Sequence, residues 1–188
     1  MKHPPIASYR VQLRPEFGFE AAAEIADYLA DLGISHVYTS PYFQAAQGSA
    51  HGYDVVDPGR INEELGGPSG REALCRRLEA VGLRQLIDLV PNHMAIRGGH
   101  NAWWWDVLEN GPASRYAGYF DVDWKSEGAD CVLLPILGGQ YGVELEEGRL
   151  RLARDGGSFF IEYYDQRNPV SPRSLGCRFS AISTTRLS

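Results

Sequence analysis

The sequence predicts an α/β fold on three observations. Strand-like and helix-like segments alternate over the first 90 residues. The connections that enter the second and third strands are short, whereas the loops that leave these strands are long. In α/β sheets and barrels, long loops at the carboxyl ends of the strands carry the binding and catalytic groups. We therefore expect a functional site at that end of a parallel sheet.

The first strand and helix are predicted from residues 8–13 and 17–33. Within the helix, apolar residues recur at i, i+3, i+4 and i+7, which predicts one face toward the core. Gly33 follows the last of them and is typical of a residue just past a helix end. The predicted apolar stripe consists of Ile25, Tyr28, Leu29 and Leu32.

A second strand (34–40), a second helix (69–81) and a third strand (84–90) follow. Ser69 and Glu72 have the spacing of a capping box at the start of this helix. The third strand, "RQLIDLV", is almost continuously apolar, as is typical of a parallel strand covered on both faces. The core-facing residues predicted for the helix are Leu74, Leu78 and Val81.

Beyond residue 90 the pattern changes. Residues 91–172 are predicted to be a β-rich excursion, with hairpin turns at "LEEGRL" and "ARDGGSFF". Residues 173–188 have no periodicity that indicates structure. A change of reading frame near Leu175 would explain such a divergent tail, and a true divergent terminus is the alternative. The predicted domains are 1–90, 91–172 and 173–188.

Composition excludes several classes of protein. The net charge is −6 and no dense Lys/Arg run occurs, so neither nucleic acid nor a membrane surface is an expected partner. No run of about 18 apolar residues and no signal peptide is found. The three cysteines are too few and too widely spaced for a disulfide framework or a CxxC metal site, which favours the cytoplasm. Nucleotide-binding glycine motifs, GxSxG and HExxH are missing, and neither a cofactor nor a metal is expected.

Asp88 is the first candidate site residue, because it interrupts an apolar strand. A buried, unpaired carboxylate costs several kcal/mol, so Asp88 needs a partner. Asn92 lies four positions later, with His93 beside it at the end of the strand. The structural alternative is an Asp that caps a turn and a His that fills a gap in the core.

The segment "SAHGYDVVDPGR" (49–60) is the second candidate. The ring of Tyr53 suits stacking on a sugar, and His51, Asp54 and Asp57 could hydrogen-bond to sugar hydroxyls. The alternative is an Asx turn beside a structural tyrosine.

The third candidate is an aromatic segment, residues 100–124. Three consecutive tryptophans cannot all face one core, so at least one should border solvent, a ligand or another domain. The alternative is that two lie in the core and one at its rim. All four tryptophans of the chain lie in this segment: Trp103, Trp104, Trp105 and Trp124.

These motifs together resemble the α-amylase superfamily, glycoside hydrolase family 13. "DLVPNH" is similar to the signature that ends the third barrel strand of that family, and "HGYDVVD" to the one that follows its second strand. "GSAHGYDVVDPGRINEELGG", "WWWDVLENGPASRYAGYFDVDW" and "LPILGGQYG" resemble most closely the trehalose-forming transglucosylases within it. The resemblance covers roughly residues 6–172. It implies the first three β/α units of a TIM (β/α)8 barrel with a β-rich domain B inserted after strand three.

The resemblance also implies roles for individual residues. Tyr53 would stack on the sugar in the −1 subsite, and His93 would hydrogen-bond to it. Asp54 would pair with an arginine on the fourth barrel strand, and Asp88 would support the network from inside the barrel. Asn92 matches a calcium-binding position of many family members, but calcium is not carried over to this chain.

The implied reaction converts the reducing-end α-1,4 bond of a maltooligosaccharide into an α,α-1,1 bond. The family's nucleophile, acid/base and third Asp follow later barrel strands, and no residue here matches them. We therefore expect the 188-residue chain to be an inactive part of an α-glucan enzyme, with open sheet edges that a complementing C-terminal fragment would cover. The alternatives are another α-glucan hydrolase of the family and a non-catalytic α-glucan-binding module.

Overall fold

The computed structural model describes residues 4–125 and 132–172. The chain divides into two compact units, Met1–Ala95 and Ile96–Ser188. Cys131, Cys177 and the predicted tail 173–188 lie outside the described residues. The strands and helices of the first unit are β1 (Ser8–Val11), α1 (Phe19–Glu24), α2 (Ala26–Asp31), β2 (His36–Thr39), β3 (Phe43–Ala45), β4 (Val55–Ile61), α3 (Gly67–Ala80) and β5 (Arg84–Ile87).

A parallel sheet in the order β1-β2-β5 forms the frame of the first unit, which confirms the predicted α/β class. Arg10, Tyr38 and Leu86 lie side by side across it. The helices cover one face of the sheet and enclose the core with it. The buried core residues are Val11, Leu13, Phe19, Ala22, Ala26, Leu29, Val37, Tyr42, Leu65, Leu74, Leu78 and Leu83.

The third strand is shorter and more exposed than its sequence predicts. Strand β5 ends at Ile87, and Leu89 beyond it is 57% exposed. Within the described residues β5 is an outer strand of its sheet, so only one neighbour covers its polar edge. A continuously apolar strand is buried on both faces only where neighbouring elements cover both its faces and both its edges.

The first predicted helix is in fact two, because the chain leaves helical geometry at Ile25 (φ −86°, ψ 2°). The predicted stripe is confirmed for Leu29, which is buried, and for Ile25, which packs against the core half-buried, and is wrong for Tyr28 and Leu32. Phe19, Ala22 and Ala26 are buried with Leu29, whereas Tyr28 and Leu32 are exposed. Gly33 has φ +82°, the left-handed geometry predicted for the residue after the helix end.

Helix α3 begins two residues earlier than predicted, and the capping box is wrong. Gly66 precedes it with φ +107°, a conformation that suits glycine, and the next residues begin the helix. Ser69 therefore lies inside the first turn. Glu72 pairs with Arg76 at 2.7 Å instead of capping the helix.

The long loop after β2 contains structure that the sequence did not predict. Strands β3 and β4 pair as an antiparallel hairpin with shifts of register. The site motif 49–60 therefore runs from the loop of this hairpin into β4.

The second unit is less β-rich than predicted. Its first part is helical, with the two helices α4 and α5 and short 3-10 turns between them. No helix in the described ranges has the length and apolar character needed to cross a membrane. The regular elements are α4 (Ala102–Asn110), α5 (Tyr141–Glu146), β6 (Leu150–Asp155), β7 (Ser158–Tyr163) and β8 (Gln166–Pro169).

The β structure of this unit is one antiparallel sheet, β6-β7-β8. The predicted turn in "ARDGGSFF" is confirmed, since Gly156 and Gly157 join β6 to β7 with positive φ. The predicted hairpin in "LEEGRL" is wrong, because this segment is the end of α5 and the start of β6. Gly148, with φ +69°, allows the change of direction after the helix.

The consecutive tryptophans lie on α4 and point in different directions, as expected. Trp104 is buried and contacts Phe120, with 4.9 Å between ring centroids. Trp103 and Trp105 are half-buried. Trp105 packs against Phe160 of β7, at 5.9 Å.

Candidate functional site

The candidate site lies in the first unit, where the carboxyl ends of the parallel strands meet the loop after β2. Arg10 projects from β1, and Asp88 is the first residue beyond β5. The backbone N–H of Asp88 donates to the carbonyl of Thr39 (3.0 Å), which extends the parallel ladder by one step. This hydrogen bond fixes the carboxylate beside the last residues of β2.

Asp88 has two partners, which explains a carboxylate in an apolar segment. Its Oδ2 accepts a 2.6 Å hydrogen bond from the hydroxyl of Tyr53 and lies 3.6 Å from Nη2 of Arg10. The same Nη2 donates to the Tyr53 hydroxyl at 2.9 Å. The Asp88 side chain is 19% exposed, so its charge is both partly desolvated and compensated.

These contacts lower the pKa of Asp88 and raise the pKa of Tyr53. The hydrogen bond from Tyr53 is the main cause that holds the pKa of Asp88 below its ordinary value, with help from Tyr38 and Arg10 against the opposing effect of burial. The same hydrogen bond raises the pKa of Tyr53, because losing the phenolic proton would leave two anions in contact. Asp88 is therefore ionised and Tyr53 is a firm donor at neutral pH.

Two further side chains extend the network on the sheet. Nη1 of Arg10 donates to Oε1 of Gln12 at 3.0 Å, and the Arg10 guanidinium lies 5.4 Å from the ring centroid of Tyr38. Nε2 of Gln12 in turn donates to the carbonyl of His51 at 3.2 Å. Arg10 of β1 and Gln12, one residue past its end, thus hold the strand and the loop together.

Local geometry holds the loop that carries Tyr53. Gly52 has φ +78°, and a Cβ at this position would overlap the carbonyl oxygen of Pro41. The backbone N–H of Tyr53 donates to Nδ1 of His51 (3.0 Å). Asp54 accepts from the hydroxyl of Ser49 and lies 3.8 Å from Nδ1 of His51. A close approach that only glycine permits therefore sets the position of the aromatic ring.

His93 and Asn92 lie next to this loop and are exposed. Nε2 of His93 is 3.1 Å from the carbonyl oxygen of Tyr53, and Nδ1 is 3.0 Å from Oδ1 of Asn92. A carbonyl oxygen can only accept, so Nε2 carries the proton in the first of these contacts.

All six predicted site residues therefore lie in one region of the first unit, in two linked groups. Asp57 lies apart, since its Oδ1 accepts from the backbone of Gly59 (2.9 Å), as the alternative of an Asx turn predicted. Across residues 4–125 and 132–172, no cluster of three or more His, Cys, Asp or Glu side chains could hold a metal ion. The linked residues are Tyr53, Asp54, His93, Asp88, Asn92 and His51.

Sequence reasoning missed Arg10, Gln12 and Tyr38. The signal was present in "SYRVQL", where the polar residues Arg10 and Gln12 alternate with the buried residues Val11 and Leu13. Side chains alternate across a strand, so Arg10 and Gln12 share the face opposite to the helix-covered core. The Asp88 carboxylate already accepts from Tyr53 and pairs with Arg10. The arrangement is therefore suited to binding and orienting a polar ligand.

The family model for the alpha amylase catalytic domain matches residues 22–136, which is more than half of the sequence. The chain belongs to the α-amylase family.

Relatives that match nearly the whole chain are maltooligosyltrehalose synthases. A Mycobacterium tuberculosis protein assigned as a maltooligosyl trehalose synthase is 41% identical over 180 residues, covering 93% of this chain and 22% of that protein. The solved structure of maltooligosyltrehalose synthase from Arthrobacter ramosus matches with a TM-score of 0.80 at 40% identity, covering 93% of this chain and 23% of that chain. The chain thus spans about a fifth of the length of these relatives and corresponds to their N-terminal part.

A hydrolase of the family matches over a shorter range. The cyclomaltodextrinase of Geobacillus thermopakistaniensis is 40% identical over 96 residues, which is 51% of this chain and 16% of that protein. The predicted similarity to the maltooligosyltrehalose synthases is confirmed, and the alternative of a plain hydrolase is not favoured. The predicted similarity of the fold to the N-terminal part of an α-amylase-family barrel protein is likewise confirmed.

Proposed function

We propose that this chain forms part of the substrate cleft of a maltooligosaccharide transglucosylase that makes trehalosyl ends. The observation that carries the proposal is the linkage of Asp88, Tyr53 and Arg10 at the carboxyl ends of β1, β2 and β5. In α/β barrels this end of the sheet carries the site. The similarity to maltooligosyltrehalose synthases over 93% of the chain supports the choice of reaction.

Each member of the network has a distinct role in this proposal. Tyr53 offers its ring face to the sugar in the −1 subsite, while Asp88 and Arg10 hold its hydroxyl. The carbonyl of Tyr53 holds His93 through Nε2, and Asn92 lies at Nδ1. In the proposal a sugar hydroxyl replaces Asn92 and donates to Nδ1 of His93. Sugars bind through such flat rings and fixed donors, because pyranose rings have apolar faces and polar edges.

Two further residues of the loop that carries Tyr53, His51 and Asp54, complete the proposed sugar-binding surface. His51 supports the backbone of Tyr53 and leaves Nε2 for a sugar hydroxyl. Asp54 is held by Ser49 and is the group that would pair with an arginine of the fourth barrel strand.

The finer architecture is part of the proposal. Strands β1, β2 and β5 are the first three strands of a TIM barrel, supported by their parallel order and the helices between them. Residues 91–172 are the domain B-like excursion that follows strand three. The proposal also places the protein in the cytoplasm, supported by the odd number of cysteines, with neither nucleic acid nor membrane as a partner.

The chemistry is a retaining double displacement. A carboxylate attacks the anomeric carbon at the reducing-end α-1,4 bond while a carboxylic acid about 5 Å away protonates the departing 4-hydroxyl. The anomeric hydroxyl of the released glucose then attacks the anomeric carbon of the covalent intermediate and displaces the first carboxylate from it, forming the α,α-1,1 bond. The hydroxyl proton passes to the group that donated a proton in the first step. No residue of the 188 matches the motifs of these two carboxyls, so we expect the polypeptide alone to bind without turnover.

A titration and an assay test the proposal. Calorimetry should detect a maltopentaose-binding event at the first unit that Tyr53→Ala and His93→Ala abolish, while the exposed control Tyr28→Ala binds as the wild type does. The 188-residue polypeptide should leave the reducing ends of maltopentaose unchanged. Adding a C-terminal polypeptide that supplies the two carboxyls should cause reducing ends to disappear.

The other outcomes separate the alternatives. An increase in reducing ends on complementation indicates a hydrolase, and binding without turnover in every combination indicates a binding module. Turnover by the 188-residue polypeptide alone, or a folded chain that binds no maltopentaose, would overturn the proposal.

A further inference from the structure

A cluster of stacked aromatic rings on the second unit has no part in the site described above. Trp103 on α4 lies parallel to Tyr116, with ring centroids 4.9 Å apart and planes 9° from parallel. Tyr119 leans against Trp103 at 5.0 Å. The guanidinium of Arg115 lies 4.6 Å from the ring centroid of Tyr116 and donates to its hydroxyl.

The tight loop that carries these tyrosines is fixed to α4 by polar contacts. Asp106 of the helix accepts from the hydroxyl of Ser114, and the same hydroxyl accepts from the backbone N–H of Tyr116 at 3.0 Å. The backbone N–H of Tyr119 donates to the carbonyl of Tyr116 at 3.0 Å. The rings therefore have one arrangement before any ligand arrives, which lowers the entropy cost of binding.

This rigid cluster is open to solvent on its outer side. Tyr119 is 68% exposed, and Trp103 and Tyr116 are half-buried. Within residues 4–125 and 132–172, no carboxylate lies within ion-pair distance of Arg115. An exposed tyrosine ring backed by two half-buried rings, with a guanidinium at its edge, is the composition expected of a binding surface rather than of a packed core.

We propose that Trp103, Tyr116 and Tyr119, with Arg115, form an additional α-glucan contact, the aromatic platform. The exposed ring of Tyr119 stacks on the apolar face of a glucose residue, and the remaining N–H groups of Arg115 donate to sugar hydroxyls. The inference rests on the proposed α-glucan function and adds a second contact whose residues all lie outside the first unit. Tyrosine and tryptophan suit this task, because they present broad rigid faces at low entropy cost.

The distribution of tryptophan provides a selective readout. All four tryptophans lie between residues 103 and 124, whereas the first unit has none. Occupation of the aromatic platform should therefore change indole fluorescence during a maltoheptaose titration, because Trp103 is in direct contact with Tyr119. Tyr119→Ala should remove this response over the concentration range that saturates the wild type, because the stacking ring is lost.

Three variants serve as controls. Tyr119→Phe keeps the ring and should bind as the wild type does. Tyr141→Ala, at a tyrosine of the same unit that is 62% exposed, should leave both affinity and fluorescence response unchanged. His93→Ala should abolish the calorimetric binding attributed to the first unit and keep the fluorescence response.

The outcomes for the two proposals are distinguishable. If His93→Ala loses binding but Tyr119→Ala has wild-type affinity and response, the proposed function stands and the aromatic platform does not. If the wild-type fluorescence response is absent, or if Tyr141→Ala reduces it as much as Tyr119→Ala does, the platform is also overturned. A response that is lost in Tyr119→Ala with unchanged circular dichroism, and kept in Tyr119→Phe, supports it.

Discussion

The hydroxyl of Tyr53 donates a 2.6 Å hydrogen bond to the carboxylate of Asp88, a residue 35 positions away in the chain. This bond joins the loop after β2 to the end of β5. Asp88 is fixed by the sheet, whereas Tyr53 belongs to an irregular loop, so the strand residue positions the loop residue. We infer that Asp88 contributes to sugar binding through the position of the Tyr53 ring.

Replacing Tyr53 by Phe should remove this positioning while keeping the ring. We expect the free energy of unfolding to fall by about 1.5–3 kcal/mol, the usual contribution of a hydrogen bond to a charged group. The pKa of Asp88 should rise toward its ordinary value of 3.8, because its main stabilising donor is lost. Carboxyl carbon NMR during an acid titration measures this pKa. Tyr28→Phe, at an exposed tyrosine, is the control, and an unchanged pKa of Asp88 in Tyr53→Phe would contradict the assignment.

Stability should depend on pH through Asp88. Its pKa is lowered in the folded state, so the folded state binds this proton less readily than the unfolded state does. The contribution is fully present above the ordinary value of 3.8 and is lost as the pH falls through the lower folded value. Urea denaturation from about pH 5 to about pH 2 should show a decline that is shallower in Asp88→Asn. Parallel curves for the two proteins would show that other groups cause the decline.

Gly52 provides a test of the loop. Gly52→Ala must adopt φ +78° and also overlap the carbonyl of Pro41, whereas Gly33→Ala has φ +82° in open space. We expect Gly33→Ala to lose about 1 kcal/mol from the left-handed backbone alone. Gly52→Ala should lose about 1–3 kcal/mol more, through overpacking.

Binding distinguishes these two variants further. Because Gly52 adjoins Tyr53 and His51, Gly52→Ala should weaken maltopentaose binding in calorimetry, while Gly33→Ala should not. Equal urea midpoints for the two variants would show that the approach of Gly52 to Pro41 does not constrain the loop.

The sequence predicted the alternation of strands and helices and most of the residues at the site, and the rest could not be predicted from it for physical reasons. Asp88 and Tyr53 stood out because a charge in an apolar strand and a Gly-Tyr-Asp turn are locally unusual. Arg10 and Tyr38 were missed, because alternating polar residues on one strand look the same whether they face solvent or the polar end of a sheet. Only the pairing of three strands shows that Arg10 lies beside Tyr38.

The first helix shows a different limit of sequence reasoning. Helical spacing selected the large apolar residues Ile25, Tyr28, Leu29 and Leu32, yet two of the four buried residues are alanines, Ala22 and Ala26. Gly18, just before the helix, lies against the backbone of Leu65, so the start of the helix is held close to the segment before α3. Periodicity reports where apolar residues lie but not how near the neighbouring element is.

This correction makes a prediction about Leu29 and Leu32. Leu29 is 1% exposed and belongs to the core, whereas Leu32, three residues later, is 52% exposed. Leu29→Ala should lower the free energy of unfolding by about 2–5 kcal/mol, because it leaves a cavity between helix and sheet. Leu32→Ala should change it by about 0.5 kcal/mol or less, since solvent already reaches half of the side chain. Urea midpoints measured by far-UV circular dichroism compare the two variants, and a larger loss in Leu32→Ala would restore the stripe predicted from spacing alone.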